Sequence, residues 1–209
     1  MNAPVNAIKK GRKFDQVLAG AREVFLQDGF EGASVDVIAR AAGVSKATLY
    51  SYFPDKRLLF MEVATQECRR QADSALNELD FEMSPRDVLL EVARRMMDFF
   101  FSEFGRGVFR ICVAETERFP ELGQEFYNNG PAVVRRTLVR YFEAAMERGE
   151  LQISDLELAA DQFAELCKAD LFPRLIMGLS SYFSSAEKSR VAEGAVDLFL
   201  ARYGTSANT

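Results

Sequence analysis

The stretch SVDVIARAAGVSKATLYSYF, residues 34–53, decides the fold of this 209-residue chain. Ser34 is placed to cap a short helix, which Gly43 ends. Ser45 caps a second helix of barely two turns, Lys46 to Phe53, which stops before Pro54. Two short helices joined by a tight glycine turn have the length and turn chemistry of a helix-turn-helix.

The second of these helices carries hydrogen-bonding side chains in place of the Glu and Lys pairs that are typical of a solvated helix. No acidic residue occurs between Ser45 and Phe53, which suits a surface pressed against phosphates. Val44, Leu49 and Phe53 are left to anchor the helix. The side chains predicted to be exposed are Ser45, Lys46, Thr48, Tyr50, Ser51 and Tyr52.

Charge is unevenly distributed around this segment. Residues 1–60 carry nine basic and six acidic side chains, a net charge of +3, whereas the whole chain has a net charge of -5. A basic N-terminal module on an acidic body indicates that the small end meets a polyanion, unless the difference is chance. Lys9, Lys10, Arg12 and Lys13 form a basic arm that either reaches the DNA backbone or minor groove or only aids solubility.

Apolar residues recur at spacings of three and four along almost the whole chain, and alternating β-branched runs are missing. This pattern predicts an all-α fold of about nine helices with no internal repeat. Gly29 is expected to end the first helix in the left-handed conformation, and Gly105 to Gly107 to separate the fifth and sixth. The predicted helices are residues 12–28, 34–42, 46–53, 54–79, 85–104, 108–119, 132–148, 155–179 with a kink near Pro173, and 186–203.

Composition excludes most enzyme chemistry. The chain has no histidine, which removes the usual general base, the usual zinc ligand and every histidine-activated nucleophile. Cys68, Cys112 and Cys167 are odd in number and show no CxxC spacing, so we interpret them as reduced thiols of a cytoplasmic protein. No window of about 18 uncharged apolar residues occurs. We therefore expect no catalytic site, cofactor, metal or membrane partner.

The segment GAREVFLQDGFEGASVDVIARAAGVSKATLYSYFPDKRLLF, residues 20–60, resembles the TetR family of transcriptional repressors. The resemblance implies a homodimer whose recognition helices enter the major grooves of a palindromic operator in double-stranded DNA. It also implies a helical C-terminal domain that binds a small-molecule inducer and forms the dimer. The expected divisions are a basic arm at 1–11, the helix-turn-helix domain at 12–57 (the family-type domain extends to about 71), a ligand-binding and dimerisation domain at 58–204, and a tail at 205–209.

The resemblance also implies individual DNA contacts. Lys46, Ala47 and Thr48 match the family's base-facing and groove-facing positions. The positions that match phosphate contacts are Tyr50, Tyr52 and Lys56, together with Ser34 and Ser45 at helix N-termini. Ser51 belongs to the same DNA-facing set. Asp36 departs from members that place a basic residue there, so no base contact is expected from the start of the predicted helix 34–42.

The middle third of the chain is rich in phenylalanine, of which there are 18 in all. These aromatic side chains, with the flexible Met96, Met97 and Met177, predict an apolar cavity that would take an apolar or aromatic inducer. The run VFRICVAETERFPELGQEFYNNGP, residues 108–131, resembles the C-terminal domain of AefR-type regulators. Glu115 and Arg118 are its charged members and either orient a polar group of the ligand or form a surface ion pair. The candidate ligand-binding residues are Phe100, Phe104, Phe109, Cys112, Glu115, Arg118, Phe119, Phe126, Phe142, Phe163 and Cys167.

The last two predicted helices, 155–179 and 186–203, correspond to the family's intersubunit four-helix bundle. Periodicity cannot distinguish a dimer face from an intramolecular one. The residues expected at the dimer interface are Phe163, Leu166, Phe172, Leu175, Val196, Phe199 and Leu200.

The sequence thus predicts a homodimeric repressor that an inducer releases from DNA, with helix four coupling the two domains. Two alternatives remain within DNA-binding proteins: an architectural or protein-interaction module without ligand response, and a transcriptional activator. An enzyme or carrier would need convergent titratable groups, which no spacing in the chain supplies.

Overall fold

The computed structural model describes residues 11–78, 80–117 and 119–205, with all their side chains except those of residues 68, 71–78, 121 and 122. Over these residues the chain is helical, with no strand and one isolated antiparallel bridge between Leu151 and Gly204. The predicted all-α fold is confirmed. The helices are α1 (Arg12–Gly32), α2 (Val35–Ala41), α3 (Lys46–Tyr52), α4 (Lys56–Glu78), α5 (Pro85–Phe100), α6 (Glu103–Glu115), α7 (Pro120–Asn129), α8 (Pro131–Glu147), α9 (Leu156–Leu166), α10 (Leu171–Ile176) and α11 (Ser185–Tyr203).

The predicted break at Gly105 to Gly107 is wrong, because α6 begins before these glycines and runs through them. The chain breaks at Phe101 and Ser102, where the Ser102 hydroxyl accepts a hydrogen bond from the Gly105 amide at 2.9 Å. A Cβ on Gly105 would lie 2.9 Å from the carbonyl carbon of Phe99. Gly105 therefore permits a close backbone approach in the first turn of α6 and does not end a helix.

The segment predicted as one kinked helix, 155–179, is two helices. It breaks at residues 167–170, where Asp170 has a φ of 62°. Pro173 lies in the first turn of α10, where a missing backbone N–H costs nothing. The sequence analysis placed no helix in the residues after Pro120. They form α7, with Pro120 in its first turn. These two differences raise the count from about nine to eleven among the described residues.

Smaller differences concern helix ends. Gly29 has the expected positive φ of 68°, but α1 continues beyond this kink to Gly32. The helix expected from Pro54 begins at Lys56. The last helix is capped by Ser184, not Ser185, in a capping box with Glu187. Backbone and side-chain hydrogen bonds from Ser184 lower the pKa of Glu187, as expected for a carboxylate at a helix N-terminus.

Two hydrophobic clusters organise the chain. The N-terminal cluster joins α1 to α4 with α6, and the body cluster joins α5, α8, α9, α10 and α11. Phe60 of α4 lies at the centre of the N-terminal cluster, with its ring 4.9 Å from Phe25, 5.2 Å from Phe30 and 5.3 Å from Phe104 of α6. The helix-turn-helix module therefore shares its core with α6 of the body. None of the described helices is long and apolar enough to cross a membrane.

The contact between α1 and α2 gives a direct test of this packing. A Cβ on Gly20 would lie 2.6 Å from the Cα of Ala42, and because that obstacle is backbone, Gly20→Ala should reduce the free energy of unfolding by about 2 kcal/mol or more. Gly11→Ala, at the start of the same helix, meets no heavy atom within 4 Å and should cost less than about 1 kcal/mol. Urea unfolding compares the two variants, and equal costs would contradict the close approach of α1 and α2.

Candidate functional site

The short helix α3 is anchored by few residues. Leu49 is fully buried and Phe53, at its C-terminus, is nearly so. Phe14 of α1 stacks on Phe53 at 5.4 Å and meets the edge of Tyr52 at 5.7 Å. Tyr52 is therefore half-buried, with its ring fixed against α1. This packing fixes the orientation of α3 while the rest of its surface stays open.

Both helices of the motif have the serine caps that the sequence predicts. The Ser34 hydroxyl accepts the Val37 amide at 3.2 Å, and the Ser45 hydroxyl accepts the Thr48 amide at 3.1 Å. Ser45 also shares a hydrogen bond of 2.9 Å with the Thr48 hydroxyl. These serine side chains are committed to the helices, so their conformation is set before any partner binds.

The open face of α3 contains the predicted base-facing positions. Lys46 and Ala47 are exposed and Thr48 is half-buried; Tyr50 and Ser51 are exposed on the following turn. The Ser51 hydroxyl donates to the Thr48 carbonyl at 2.6 Å. Lys46 forms an ion pair with Asp36 of α2, and both side chains are more than half exposed. Asp36 therefore restrains the ammonium group that is predicted to read bases, a link that the sequence analysis did not anticipate.

Lys56 has a structural role in addition to the predicted phosphate contact. Its Nζ donates to the carbonyls of Phe30 at 2.8 Å and Ala33 at 3.0 Å, and it lies 4.2 Å from the centre of the Phe30 ring. An ammonium has three N–H donors, so two are used to hold the connection between α1 and α2. The third is what remains for a phosphate.

Arg57 connects the motif to the body and was missed by the sequence analysis. Its guanidinium bonds the carboxylate of Asp55, and its Nη1 donates to Glu115 Oε1 of α6 at 2.6 Å. The hydrogen bonds that Arg57 donates to Asp55 and, to a smaller extent, to Glu115 raise the pKa of its guanidinium above its usual range. Glu115 thus forms an ion pair, the alternative considered for it, but with a residue of the other predicted domain.

A second candidate site is a cavity of about 470 Å³ in the body, a size typical of small-ligand sites. Its walls come from α5, α7, α8 and α9, and two of the predicted ligand-binding residues, Phe100 and Phe126, line it. Met96 and Phe99 also line it. The lining side chains that the sequence analysis did not single out include Val92, Tyr127, Val133, Val134, Ala160 and Ala164.

The charged groups at the cavity are paired. Arg135 bonds both carboxylate oxygens of Asp161, at 2.8 and 2.6 Å, and these bonds raise the pKa of Arg135. Lys168 pairs with Glu165 at 2.5 Å, and Arg95 donates to Glu91 at 2.6 Å. A ligand carboxylate would therefore compete with existing carboxylates for every cation at this cavity.

The remaining predicted ligand-binding residues that the structure describes lie elsewhere. Phe104, Cys112 and Phe119 belong to the N-terminal cluster or pack against it, whereas Phe142, Phe163 and Cys167 are buried in the body cluster. The Phe109 ring packs 5.0 Å from Phe172, and Arg118 lies outside the described residues. Burial raises the pKa of the Cys167 thiol to about 12, so this thiol stays protonated at neutral pH.

The residues predicted for the dimer interface pack inside the single chain. Phe163, Leu175, Val196 and Phe199 are buried in the body cluster, and Leu166 and Leu200 pack against it. The Phe172 ring lies between Phe100 and Phe109. The apolar side chains that α9, α11 and the α10–α11 connection leave exposed are different ones: Leu158, Leu198, Met177, Leu179 and Tyr182. The described residues contain no group of three side chains suited to hold a metal ion.

The fold and the capped, acid-free α3 define a helix-turn-helix DNA-binding protein with a helical body. Comparison with known proteins makes this specific. The pattern of bacterial regulatory proteins of the tetR family matches residues 17–63, and that of the C-terminal domain of AefR-like transcriptional repressors matches residues 87–205. The chain belongs to the TetR family of transcriptional regulators, which are DNA-binding proteins and not enzymes.

Individual relatives match over nearly the full length. A putative TetR-family regulator from Mesorhizobium loti is 30% identical, with a TM-score of 0.76 over 93% of this chain and 98% of the other. The flavonoid-responsive regulator FrrA is 33% identical, with a TM-score of 0.65 over 94% and 100% of the two chains. The regulator YhgD of Bacillus subtilis is 24% identical over 92% of this chain and 96% of its own.

Proposed function

We propose that this TetR-family regulator is a cytoplasmic homodimeric repressor that binds a palindromic operator and releases it when a small aromatic molecule fills the body cavity. The observation that carries the proposal is the position of α3. It presents Lys46, Ala47 and Thr48 on an open face, and it is anchored in a core that continues into the body through Phe60 and Phe104. A surface that reads DNA is thus rigidly attached to a domain with a ligand-sized cavity.

DNA recognition combines two kinds of contact. Lys46 and Thr48 supply donors for base edges in the major groove. Tyr50, Tyr52 and the remaining donor of Lys56 supply phosphate contacts, which strengthen binding to any sequence. The Tyr52 ring is held against Phe14 of α1. Ser51, Ser34 and Ser45 support this surface through their backbone bonds.

Dimerisation through α9 and α11 follows from the apolar side chains that the fold leaves uncovered. Leu158 of α9 is 51% exposed and Leu198 of α11 is 61% exposed. The same helices bury their other apolar stripes inside the chain, so the exposed leucines are the apolar side chains that these helices offer to a second copy. A twofold contact between two such faces would place two recognition helices on one operator.

The inducer is proposed to be a neutral, hydroxylated aromatic molecule. The cavity is lined mainly by phenylalanine and aliphatic side chains, and its cations already have carboxylate partners. Flat apolar rings fit such walls, and phenolic hydroxyls can bond the polar side chains at the rim without displacing an ion pair. The similarity to flavonoid-responsive FrrA supports this class of ligand.

Selection from random duplex DNA at roughly physiological salt tests the proposed repressor, because non-specific binding fades there. The expected result is enrichment of a palindrome by the wild-type protein. Lys46→Ala and Thr48→Ala should each change the preferred bases at one position of each half-site, whereas Lys188→Ala, which removes a lysine from α11 of the body, should leave the preference unchanged. Failure of the folded dimer to enrich any sequence would favour the architectural alternative.

Light scattering after size-exclusion chromatography tests the dimer surface. The double variant Leu158→Glu, Leu198→Glu should shift the protein from dimer to monomer, because like charges would face each other across the twofold contact. Val113→Glu is the matched control, since Val113 is also highly exposed, at 65%, but lies on α6. A dimer that survives the double substitution would refute this assignment of the interface.

The inducer class is testable by fluorescence, since the chain contains no tryptophan. Phe126→Trp places a single fluorophore in the cavity wall, and Val113→Trp places one on the exposed face of α6. Apigenin, a trihydroxyflavone, should quench only the Phe126→Trp signal and release the selected operator, whereas dodecanoate should do neither at the same concentration. Equal responses to the two compounds would refute the preference for a neutral aromatic ligand.

A further inference from the structure

The structure gives α4 a link to the cavity through one side chain that lies in the cavity wall. None of the described residues of α4 or α6 lines the cavity; its walls belong to α5, α7, α8 and α9. Yet α4 starts beside the recognition helix and is packed against α1, α6, α7 and α8, of which α7 and α8 belong to the cavity wall. Occupancy of the cavity can therefore reach the DNA-binding module through wall residues that contact α4.

Asn129 is such a residue. It is the last residue of α7, it is buried, and it lines the cavity. Its Oδ1 accepts a hydrogen bond of 2.6 Å from Nε of Arg69 on α4. Its Nδ2 donates to the backbone carbonyl of Glu125 at 2.7 Å and to the Glu125 carboxylate at 3.0 Å.

These bonds leave the Asn129 amide little freedom. Since an arginine only donates hydrogen bonds, the carbonyl oxygen of Asn129 must face Arg69, and its amide group must face Glu125. A ligand that displaces this side chain breaks at least one of the three bonds, and leaving a buried amide unsatisfied is unfavourable. The position of α4 and the shape of the cavity are therefore linked by geometry and not only by general packing.

The neighbouring arginine provides an internal comparison. Arg70 bonds the buried carboxylate of Glu67, which also accepts from Arg22 of α1 at 2.7 Å. Two successive arginines of α4 thus serve different contacts: Arg69 joins α4 to the cavity wall, and Arg70 joins a cluster that ties α4 to α1. The Glu67 cluster thus links this part of α4 to α1.

We infer that Asn129 and Arg69 form the link that transmits cavity occupancy to α4, with both acting as positioning residues for the response of the DNA-binding module. The inference rests on the proposed function in taking the cavity as the inducer site. Phe99 and Phe126 offer a competing apolar route, because both line the cavity and also pack against the N-terminal cluster. The two routes predict different responses when Arg69 is removed.

Amide hydrogen exchange of the full chain distinguishes the Asn129–Arg69 route from the Phe99 and Phe126 route, and it needs neither an operator nor an inducer. Ala164→Phe fills the cavity from α9, and exchange is followed in peptides covering residues 64–70. Filling should accelerate exchange there at least threefold in the wild-type and Arg70→Ala backgrounds. In the Arg69→Ala and Asn129→Ala backgrounds the change should be less than 1.5-fold.

A purely structural role for Arg69 would change the exchange of the unfilled protein but not its response to filling. An equal response with and without Arg69 would assign the transmission to Phe99 and Phe126 and overturn the inference, as would the absence of any response in the wild-type background. Val133→Phe repeats the filling from α8, in case Ala164→Phe reduces the helical content measured by circular dichroism. A failed DNA selection would instead refute the proposed function and leave this result standing.

Discussion

The packing of Phe60 is the contact on which the rest of the structure depends. This side chain is fully buried, and its ring contacts Phe25 and Phe30 of α1 on one side and Phe104 of α6 on the other. Gly107 of α6 leaves room for the ring, since a Cβ there would lie 3.2 Å from its Cζ. Truncating such a residue typically costs about 3–5 kcal/mol. The hydrophobic core of the helix-turn-helix module therefore does not end at α4 but continues into α6.

Ion pairs around this core favour one relative orientation of α1, α4 and α6. Arg57 bonds Asp55 within the module and Glu115 of α6, and Glu67 of α4 accepts from Arg22 of α1. Ion pairs of this kind add little net stability, because the cost of desolvating the charges offsets their attraction. Their geometry is directional, however, so they favour one arrangement of α1, α4 and α6 among those that the apolar packing allows. Lys56 does the same for the connection between α1 and α2.

The parts of the fold that the sequence predicts well are those set by local rules. Ser34, Ser45 and Gly43 act within a few residues of themselves, so the caps and the turn of the motif were predictable from the sequence alone. Gly105 and Pro173 were misassigned because their effect depends on position relative to a helix start, which Ser102 and the break near Asp170 determine. Apolar periodicity indicated the buried stripes of α9 and α11 but not what covers them. The stripes fill the chain's own core, and the proposed dimer face is formed by single exposed leucines between them.

The candidate sites divide in the same way. The exposed face of α3 follows from its sequence, because the side chains that do not anchor the helix are the ones left for DNA. The cavity does not, since its walls bring α5 together with the consecutive helices α7, α8 and α9, and of the ten predicted residues that the structure describes only Phe100 and Phe126 line it. Asn129 could have been suspected only as part of a turn before Gly130 and Pro131. Its contact with Arg69 requires α4 and α7 to lie side by side, a consequence of the shared core around Phe60. The constraint that holds the recognition helix to the body is thus also the one that places the cavity wall within hydrogen-bonding distance of α4.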